Sequence, residues 1–393
     1  MRLLSLVALT LLAACAVREH VDFVQTPTDD SVVRTVLVAT TRGPDPNQPV
    51  PGWDRSFDVG FGRYAVSIPP DREPGAIPRQ RNRQTPDPRR HFMLTEAQPL
   101  LADGFSAALR AELAQQPADQ REAVVFVHGF NTAFIEGVYR TAQLDYDLQI
   151  PGVMLHYSWP SLGAPLAYAH DRDSALFARD GLIAMLRQVQ ASGPRRTILI
   201  GHSMGAHLTM ESLRQMALTR DPALASVGGV ILISPDIDVE LFRQQVRAIG
   251  TLPQPFLIIT SQRDRVLMLS ASLTGQRSRL GNLPDATAVA DLGVTLVDVS
   301  AFSARDGHFT VGSSPALIGL LTQMNAVNAA LGEENAGSVG LLPAAILTLQ
   351  NTTEVILTPL TGDTRQGRPM LPYWLRRVVT AEGRPAAEAT AAP

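Results

Sequence analysis

Residues 197–217 read TILIGHSMGAHLTMESLRQMA, and they combine a strand, a turn and a helix in one motif. The apolar run 197–200 is typical of a buried strand, and residues from about 205 to 217 have helical spacing. Between them lies a G-x-S-x-G sequence, which is the strand–turn–helix arrangement of a nucleophile elbow. The turn is so tight that side chains two residues either side of the serine would collide, which explains Gly201 and Gly205. Because the turn exposes its hydroxyl at a helix N-terminus, Ser203 is the predicted nucleophile.

Short apolar strands alternate with helical segments on both sides of this motif. Strand-like runs lie at 32–40, 63–68, 123–127, 152–157, 197–200, 230–233, 256–259 and 294–299. Helical spacing is found at 104–116, 131–148, 173–190 and 205–217. Continuous apolar strands joined by helical crossovers indicate a mostly parallel central sheet with helices on both faces. The sequence therefore predicts an α/β fold, with one contiguous domain from about 32 to 330.

The partners of the serine are expected later in the chain, with the acid before the histidine as in α/β hydrolases. His308 is the only one of the eight histidines beyond residue 207, and it follows the last predicted strand, so it is the predicted general base. Asp264 follows the strand 256–259 and is the favoured acid, whereas Asp236 and Asp238 follow the preceding strand and remain alternatives. The acid must hold the imidazole tautomer and stabilise the imidazolium ion.

Two backbone N–H groups are predicted to form an oxyanion hole. One is the amide of Met204 at the helix N-terminus. The other is the amide of Phe130, because Gly129 lets the backbone after strand 123–127 approach the site closely. The alternative is that His128-Gly129 only turns the chain. Next to the serine, His202 is expected to point away, and His207 to pack on the following helix.

The N-terminus carries a targeting segment. Arg2 precedes an apolar run at 3–12, which is too short to span a bilayer but long enough for a signal peptide. The run ends Leu12-Ala13-Ala14-Cys15, which resembles the bacterial lipobox and implies removal of residues 1–14 and lipidation of Cys15. The alternatives are a Sec signal with a chance cysteine, or a buried strand.

Ala16 follows the cysteine, so in a Gram-negative cell the resemblance implies an outer-membrane lipoprotein that faces the periplasm. Residues 15–31 are predicted to be a tether. The segment 331–393 is predicted to be a C-terminal extension with a disordered end, and it has no functional assignment.

Composition narrows the classes of protein further. There are 34 basic and 37 acidic residues, a net charge of −3, which offers no general case for nucleic-acid binding. The single cysteine excludes an intramolecular disulfide framework and a Cys-rich metal site. No cofactor or metal is expected, and the oligomeric state stays open.

The chain resembles the bacterial esterase/lipase-like α/β hydrolases that were long filed as a domain of unknown function. The matching segments are 36–42 (VLVATTR), 61–64 (FGRY) with Pro69-Pro70, 126–131 (FVHGFN), 157–161 (YSWPS), 201–205 (GHSMG) and 261–265 (SQRDR). Together they cover about 30 to 310, and the resemblance implies a triad of Ser203, Asp264 and His308. The lipobox occurs in only some members, the C-terminal extension has no counterpart among them, and the family has no defined substrate.

The expected function is therefore a membrane-anchored serine hydrolase of the carboxylesterase or lipase type. It would act on a small ester or thioester through an acyl-enzyme, and it would contact the membrane through Cys15. Amide cleavage and acyl transfer use the same fold and remain alternatives, as does a non-catalytic envelope lipoprotein that binds a lipid or protein partner. Trp159, Leu162, Leu166 and Tyr168 are candidates for an acyl site, although core packing explains most of them better.

Overall fold

The computed structural model describes residues 21–24, 26–79, 85–275, 278–302, 308–316 and 318, and the backbone of two strands at 345–349 and 355–359. The predicted signal peptide 1–14 and Cys15 lie outside the described residues, as does most of the segment 331–393. Within the described residues, no helix is both long enough and apolar enough to span a bilayer.

The strands are β1 Val32–Pro44, β2 Pro51–Ile68, β3 Met93–Leu100, β4 Ala123–Val127, β5 Val153–Ser158, β6 Thr197–His202, β7 Val227–Ile233, β8 Phe256–Thr260, β9 Thr295–Asp298, β10 Ala345–Leu349 and β11 Val355–Pro359. The α-helices are α1 Ala102–Gln115, α2 Phe134–Leu148, α3 Tyr168–Phe177, α4 Arg179–Ala191, α5 Met204–Thr219, α6 Val239–Ile249, α7 Arg265–Leu273 and α8 Thr310–Ser313. Short 3₁₀ helices lie at Ala118–Gln120, Pro222–Ser226, Leu280–Asn282, Ala286–Leu292 and Ser300–Phe302.

One sheet of eleven described strands runs through the molecule in the order β11-β10-β9-β8-β7-β6-β4-β5-β1-β2-β3. From β10 to β1 every neighbouring pair is parallel. The outer pairs β1–β2, β2–β3 and β10–β11 are antiparallel. The predicted α/β class with a mostly parallel sheet is therefore confirmed.

Successive side chains along each strand enter different cores, because they point to opposite faces of the sheet. On β4, Val125 and Val127 join a large core that also holds residues of α1, α4, α5 and α6. Val124 and Phe126 on the same strand face a smaller core with residues of α2 and α8. Helices thus cover both faces of the sheet, as predicted.

The sheet extends further than its apolar pattern predicts. Strand β3 was not predicted, because Met93–Leu100 lies at an edge and buries only its first two residues. The boundary predicted at residue 330 does not mark the end of the sheet, since β10 and β11, which lie after this residue in the chain, add two strands next to β9. The helix predicted at 173–190 is two helices, which meet at Ala178.

The predicted tether is packed against the sheet where it is described. Leu94 of β3 donates its N–H to the Asp22 carbonyl and accepts from the N–H of Val24, both at 2.9 Å. The chain therefore contacts the folded domain at residues 22 and 24, before the boundary predicted at residue 32.

Candidate active site

The parallel strands β4 to β9 all end at the same edge of the sheet, and the predicted site residues follow these ends. Ser203 comes directly after β6 and is the residue before α5. Its backbone has φ 54° and ψ −120°, a sparsely populated conformation for a residue with a side chain. Hydrogen bonds hold this conformation: the Ser203 N–H donates to the Ile233 carbonyl at 2.9 Å, and the Ser203 carbonyl accepts from Asp236 at 3.2 Å.

The two elbow glycines are required by close packing, as predicted. A Cβ atom at Gly201 would lie 2.8 Å from the Cα of Ala206. A Cβ atom at Gly205 would lie 2.2 Å from the carbonyl oxygen of His128 and 2.5 Å from that of Val127. The nearest obstacles are backbone atoms at both positions, so a larger residue could not be accommodated by a side-chain rotation.

The carboxylate of Asp264 lies against the imidazole of His308. The Nδ1 atom of His308 is 2.9 Å from Asp264 Oδ2 and 3.1 Å from Oδ1. Asp264 has no exposed surface, and its Oδ1 also accepts from the N–H of Leu267 at 2.9 Å, in the first turn of α7. With the Nδ1 proton donated to the carboxylate, Nε2 is the basic nitrogen of the His308 ring.

The two alternative acids have other partners. Asp236 accepts from the Tyr168 hydroxyl at 2.8 Å and from the Ser270 hydroxyl at 2.6 Å. It also forms a buried ion pair with Arg279 at 3.0 Å. Asp238 caps α6 by accepting from the N–H of Leu241 at 2.9 Å. The geometry therefore favours Asp264 as the partner of His308.

His128 holds the loop that carries the second predicted oxyanion donor. Burial lowers the pKa of His128 well below its usual value, and the nearby charge of Arg42 lowers it further, so the ring is neutral. Its Nδ1 lies 2.9 Å from the Gly129 carbonyl oxygen, and its Nε2 accepts from the Trp159 N–H at 3.2 Å. The indole of Trp159 stacks on the ring and donates to the His128 carbonyl at 2.8 Å.

These contacts fix the peptide between Gly129 and Phe130. Because a trans peptide is planar, a Gly129 carbonyl that accepts from His128 turns the Phe130 N–H to the opposite side. Gly129 is also in close contact with the elbow, since a Cβ there would lie 3.0 Å from the Cβ of Ser203. The backbone at Gly129 therefore packs directly against the elbow serine.

Arg42 is a buried residue whose part in the site was not evident from the sequence. Its guanidinium donates to the Thr132 carbonyl at 2.8 Å, to the Ser161 carbonyl at 3.1 Å and to the Ser158 hydroxyl at 3.0 Å. It thus ties the loop after β4 to the loop after β5. The segments 36–42, 126–131 and 157–161 that carry the family resemblance meet here, but only the fold brings them together.

The ring of His202 packs against the ring of His308. The two ring centroids are 4.8 Å apart, and the His202 ring also contacts Phe309 at 4.3 Å. Burial lowers the pKa of His202 well below its usual value, and the neighbouring His308 lowers it further. Alternation at the elbow predicted that His202 points away from the serine, but it did not predict this contact with His308. His207 is buried on α5, as predicted.

Two cavities border the elbow. One, of about 280 Å³, is lined by residues that include Met204, Tyr168, Arg172, His207, Asp236 and Arg279. The other, of about 260 Å³, is lined by residues that include Phe126, Gly129, Arg140, His202 and Phe309. Of the candidate acyl-site residues, Tyr168 lines the first cavity, Trp159 is fully buried in the core and Leu166 is 91% exposed. In the described part of the chain, no cluster of three or more His, Cys, Asp or Glu residues could hold a metal ion.

Comparison with known families agrees with the fold. A family described as alpha/beta hydrolase of unknown function (DUF900) matches residues 104–324, which is more than half of the chain. The chain belongs to this family. It is therefore an α/β hydrolase, and the match spans Ser203, Asp264 and His308. A search of the curated proteins finds no match.

Several solved structures are similar at low identity. A putative hydrolase from Agrobacterium vitis S4 is 16% identical, covers 77% of this chain and 99% of its own, and has a TM-score of 0.36. A fungal esterase from Rhizomucor miehei is 13% identical, covers 77% and 83%, and has a TM-score of 0.34. Brefeldin A esterase, a bacterial homologue of human hormone-sensitive lipase, is 13% identical, covers 80% and 71%, and has a TM-score of 0.30. Because these scores are below 0.5, no conclusion about this chain rests on them.

Proposed function

We propose that the protein is a serine hydrolase of the carboxylesterase type, which cleaves an ester or thioester through an acyl-enzyme. Ser203 is the nucleophile, His308 the general base and Asp264 the acid that orients it. The observation that carries the proposal is the contact between Asp264 and His308 Nδ1 at 2.9 Å, at the same sheet edge as the Ser203 elbow.

The proposed mechanism uses the tautomer that this contact selects. His308 Nε2 takes the proton of Ser203 as its Oγ attacks the substrate carbonyl, and then returns the proton to the leaving alcohol or thiol. The buried carboxylate of Asp264 stabilises the imidazolium ion that forms in between. Water deprotonated by His308 then attacks the acyl-enzyme and releases the acid and Ser203.

The N–H groups of Met204 and Phe130 are proposed to stabilise the oxyanion of each tetrahedral intermediate. Met204 contributes through its place at the start of α5, where backbone N–H groups lack helical partners. Phe130 contributes through the peptide that His128 orients. Removal of one such donor typically lowers kcat about 10²- to 10³-fold.

Two serine variants, one directly before α5 and one within it, test the proposal. Ser203→Ala is expected to abolish both hydrolysis of 4-methylumbelliferyl butyrate and labelling by a fluorophosphonate. The matched control is Ser212→Ala on α5, where a buried serine donates only to carbonyl groups and should leave both readouts intact. Labelling of the Ser203→Ala protein would refute the assignment, and a folded wild-type protein that is inert to both reagents would favour the non-catalytic alternative.

We propose further that Cys15 carries lipid and anchors the enzyme, in a Gram-negative cell to the periplasmic face of the outer membrane. The support is the sequence alone: an apolar run followed by Leu12-Ala13-Ala14-Cys15. Two or more acyl chains would make the anchoring stable, because each buried CH₂ contributes about 0.8 kcal/mol.

Processing in cells tests the anchor. Globomycin, which blocks lipoprotein signal peptidase, should cause the precursor to accumulate, and Cys15→Ser should prevent radiolabelled palmitate from entering the protein. Maturation that continues in globomycin, together with a mature protein in the soluble fraction, would contradict the lipid anchor.

A further inference from the structure

The 280 Å³ cavity next to the elbow is placed to receive one end of the substrate. Met204, which follows the nucleophile and is a proposed oxyanion donor, lines the cavity. Tyr168 also lines it and packs edge-to-face against Phe130, the other proposed donor, with ring centroids 5.5 Å apart. A group bound there would therefore lie beside a carbonyl held at Ser203.

A buried arginine contributes a hydrogen-bond donor to this cavity. Arg279 is 3% exposed, and its Nε pairs with Asp236 at 3.0 Å while its Nη2 donates to Thr274 at 2.7 Å. Among the described residues no partner is found for its Nη1. An arginine donor in a buried site costs free energy unless an acceptor meets it, so the cavity is suited to a ligand oxygen.

A second arginine lies at the rim. Arg172 lines the cavity from α3, is exposed, and forms no ion pair with a carboxylate in the described part of the chain. Two arginines, one buried and one exposed, therefore line the same cavity. Guanidinium groups bind carboxylates with two donors in a planar fork, which makes such pairs both strong and directional.

The acidic residues of the cavity are already engaged. Asp236 receives hydrogen bonds from Tyr168 and Ser270 in addition to the Arg279 ion pair. Asp238 accepts from the first turn of α6 through the N–H of Leu241. Because these carboxylates are bound to groups of the protein, the donors that remain for a ligand are those of the arginines.

We propose that this cavity is a subsite for a carboxylate, so that the preferred substrate is a short ester that carries an anionic group. The inference rests on the proposed esterase function and adds the substrate class. The volume of the cavity is close to the lower limit of about 300 Å³ for ligand sites, which suits a group of a few heavy atoms and not a long alkyl chain.

Matched ester pairs test the subsite, and they also distinguish the acyl side from the leaving-group side. The first pair is the hemisuccinate and the butyrate of 4-methylumbelliferone, which differ by a carboxylate in place of a methyl group. The second pair is 4-acetoxybenzoate and its methyl ester. We expect the carboxylate form of at least one pair to have a kcat/KM at least about tenfold higher, as a charge-assisted hydrogen bond would give. The pair that shows the preference identifies the side of the substrate that enters the cavity.

Arg172→Gln should reduce this preference about tenfold through a higher KM for the carboxylate ester, and Arg172→Lys should restore part of it. Arg110→Gln, which removes an exposed arginine on α1, is the control for net charge and should leave the preference unchanged. Two results would overturn the subsite alone, provided that the fluorophosphonate still labels Ser203. One is equal or better hydrolysis of the neutral ester in both pairs, and the other is a preference that Arg172→Gln does not change. A protein that neither hydrolyses esters nor is labelled would overturn both proposals.

Discussion

Substitution of Asp264 by Asn separates the proposed chemical role of this residue from its structural one. The carboxylate contacts the N–H of Leu267 at 2.9 Å and the Nδ1 of His308 at 2.9 Å. Asparagine is as good an N-cap as aspartate, so the first contact survives. Toward His308, however, the amide can donate its own N–H, which would place the imidazole proton on Nε2 and remove the base.

The expected loss follows from that change of tautomer and from the missing negative charge. We predict that kcat falls roughly 10³- to 10⁴-fold, which corresponds to about 4 to 5.5 kcal/mol of transition-state stabilisation. The free energy of unfolding should change by only about 1 kcal/mol, the scale of one hydrogen bond. Both are measurable on one preparation, by 4-methylumbelliferyl butyrate hydrolysis and by urea unfolding.

Asp221→Asn is the matched control. Asp221 is also buried, caps the 3₁₀ helix Pro222–Ser226 through the N–H of Ala223 at 2.9 Å, and accepts from Arg187 at 2.8 Å. It lies before β7, at the edge of the sheet opposite the site. This variant should lose stability and keep its kcat. Asp264 is not the triad acid if Asp264→Asn keeps kcat within tenfold of the wild type, or if Asp236→Asn causes the larger loss with the fold intact.

Three further predictions concern the scaffold of the site. Gly205→Ala should abolish activity or folding, because the added Cβ would lie 2.2 Å from a backbone oxygen. The control is Gly104→Ala, where the added Cβ would meet no atom nearer than 3.8 Å. This change should stabilise α1 by about 0.5 to 1 kcal/mol in thermal unfolding. Trp159→Phe should lower the free energy of unfolding by about 1 to 3 kcal/mol and reduce kcat, because the buried His128 carbonyl loses its indole donor. An unchanged kcat would show that this hydrogen bond does not hold the loop in place. Burial lowers the pKa of His156 from 6.5 to about 3. Between pH 6.5 and about pH 3, therefore, His156 binds a proton in the unfolded chain but not in the folded one, and the free energy of unfolding falls as the pH falls. In that window His156→Leu should make the free energy of unfolding less dependent on pH by about 1.4 kcal/mol per pH unit, measured by urea titrations at several pH values.

The elements that the sequence predicted well are those that local pattern determines. The continuous apolar run at 123–127 coincides with β4, because both faces of a central parallel strand are buried. Gly201 and Gly205 were predicted from the size of a turn alone, and the backbone atoms around them give the same reason. Ser203 could be found because strand, turn and helix are consecutive in the chain.

The edges of the sheet could not be found in this way. Strand β3 carries exposed polar residues after its first two positions, so it lacks both the continuous apolar run and the strict alternation of a core strand. Strands β10 and β11 join the sheet through pairings with β9 and with each other, which are decided by tertiary structure. The break between α3 and α4 at Ala178 carries no proline or glycine to mark it.

The choice of the acid was open in the sequence for a geometric reason. Asp236, Asp238 and Asp264 all follow parallel strands, and the ends of these strands meet at one edge of the sheet. Sequence order places all three between the serine and His308, so it cannot separate them. Their partners in the fold do separate them, since Asp264 contacts His308 and Asp236 contacts Arg279.

The most direct test of the proposed mechanism is the site of the covalent adduct. After reaction with a fluorophosphonate, digestion and tandem mass spectrometry identify the modified residue. We predict one phosphonylated serine, Ser203, and a labelling rate that falls sharply in His308→Ala and Asp264→Asn. An adduct on another residue, or equal labelling of Ser203 in these two variants, would contradict the triad.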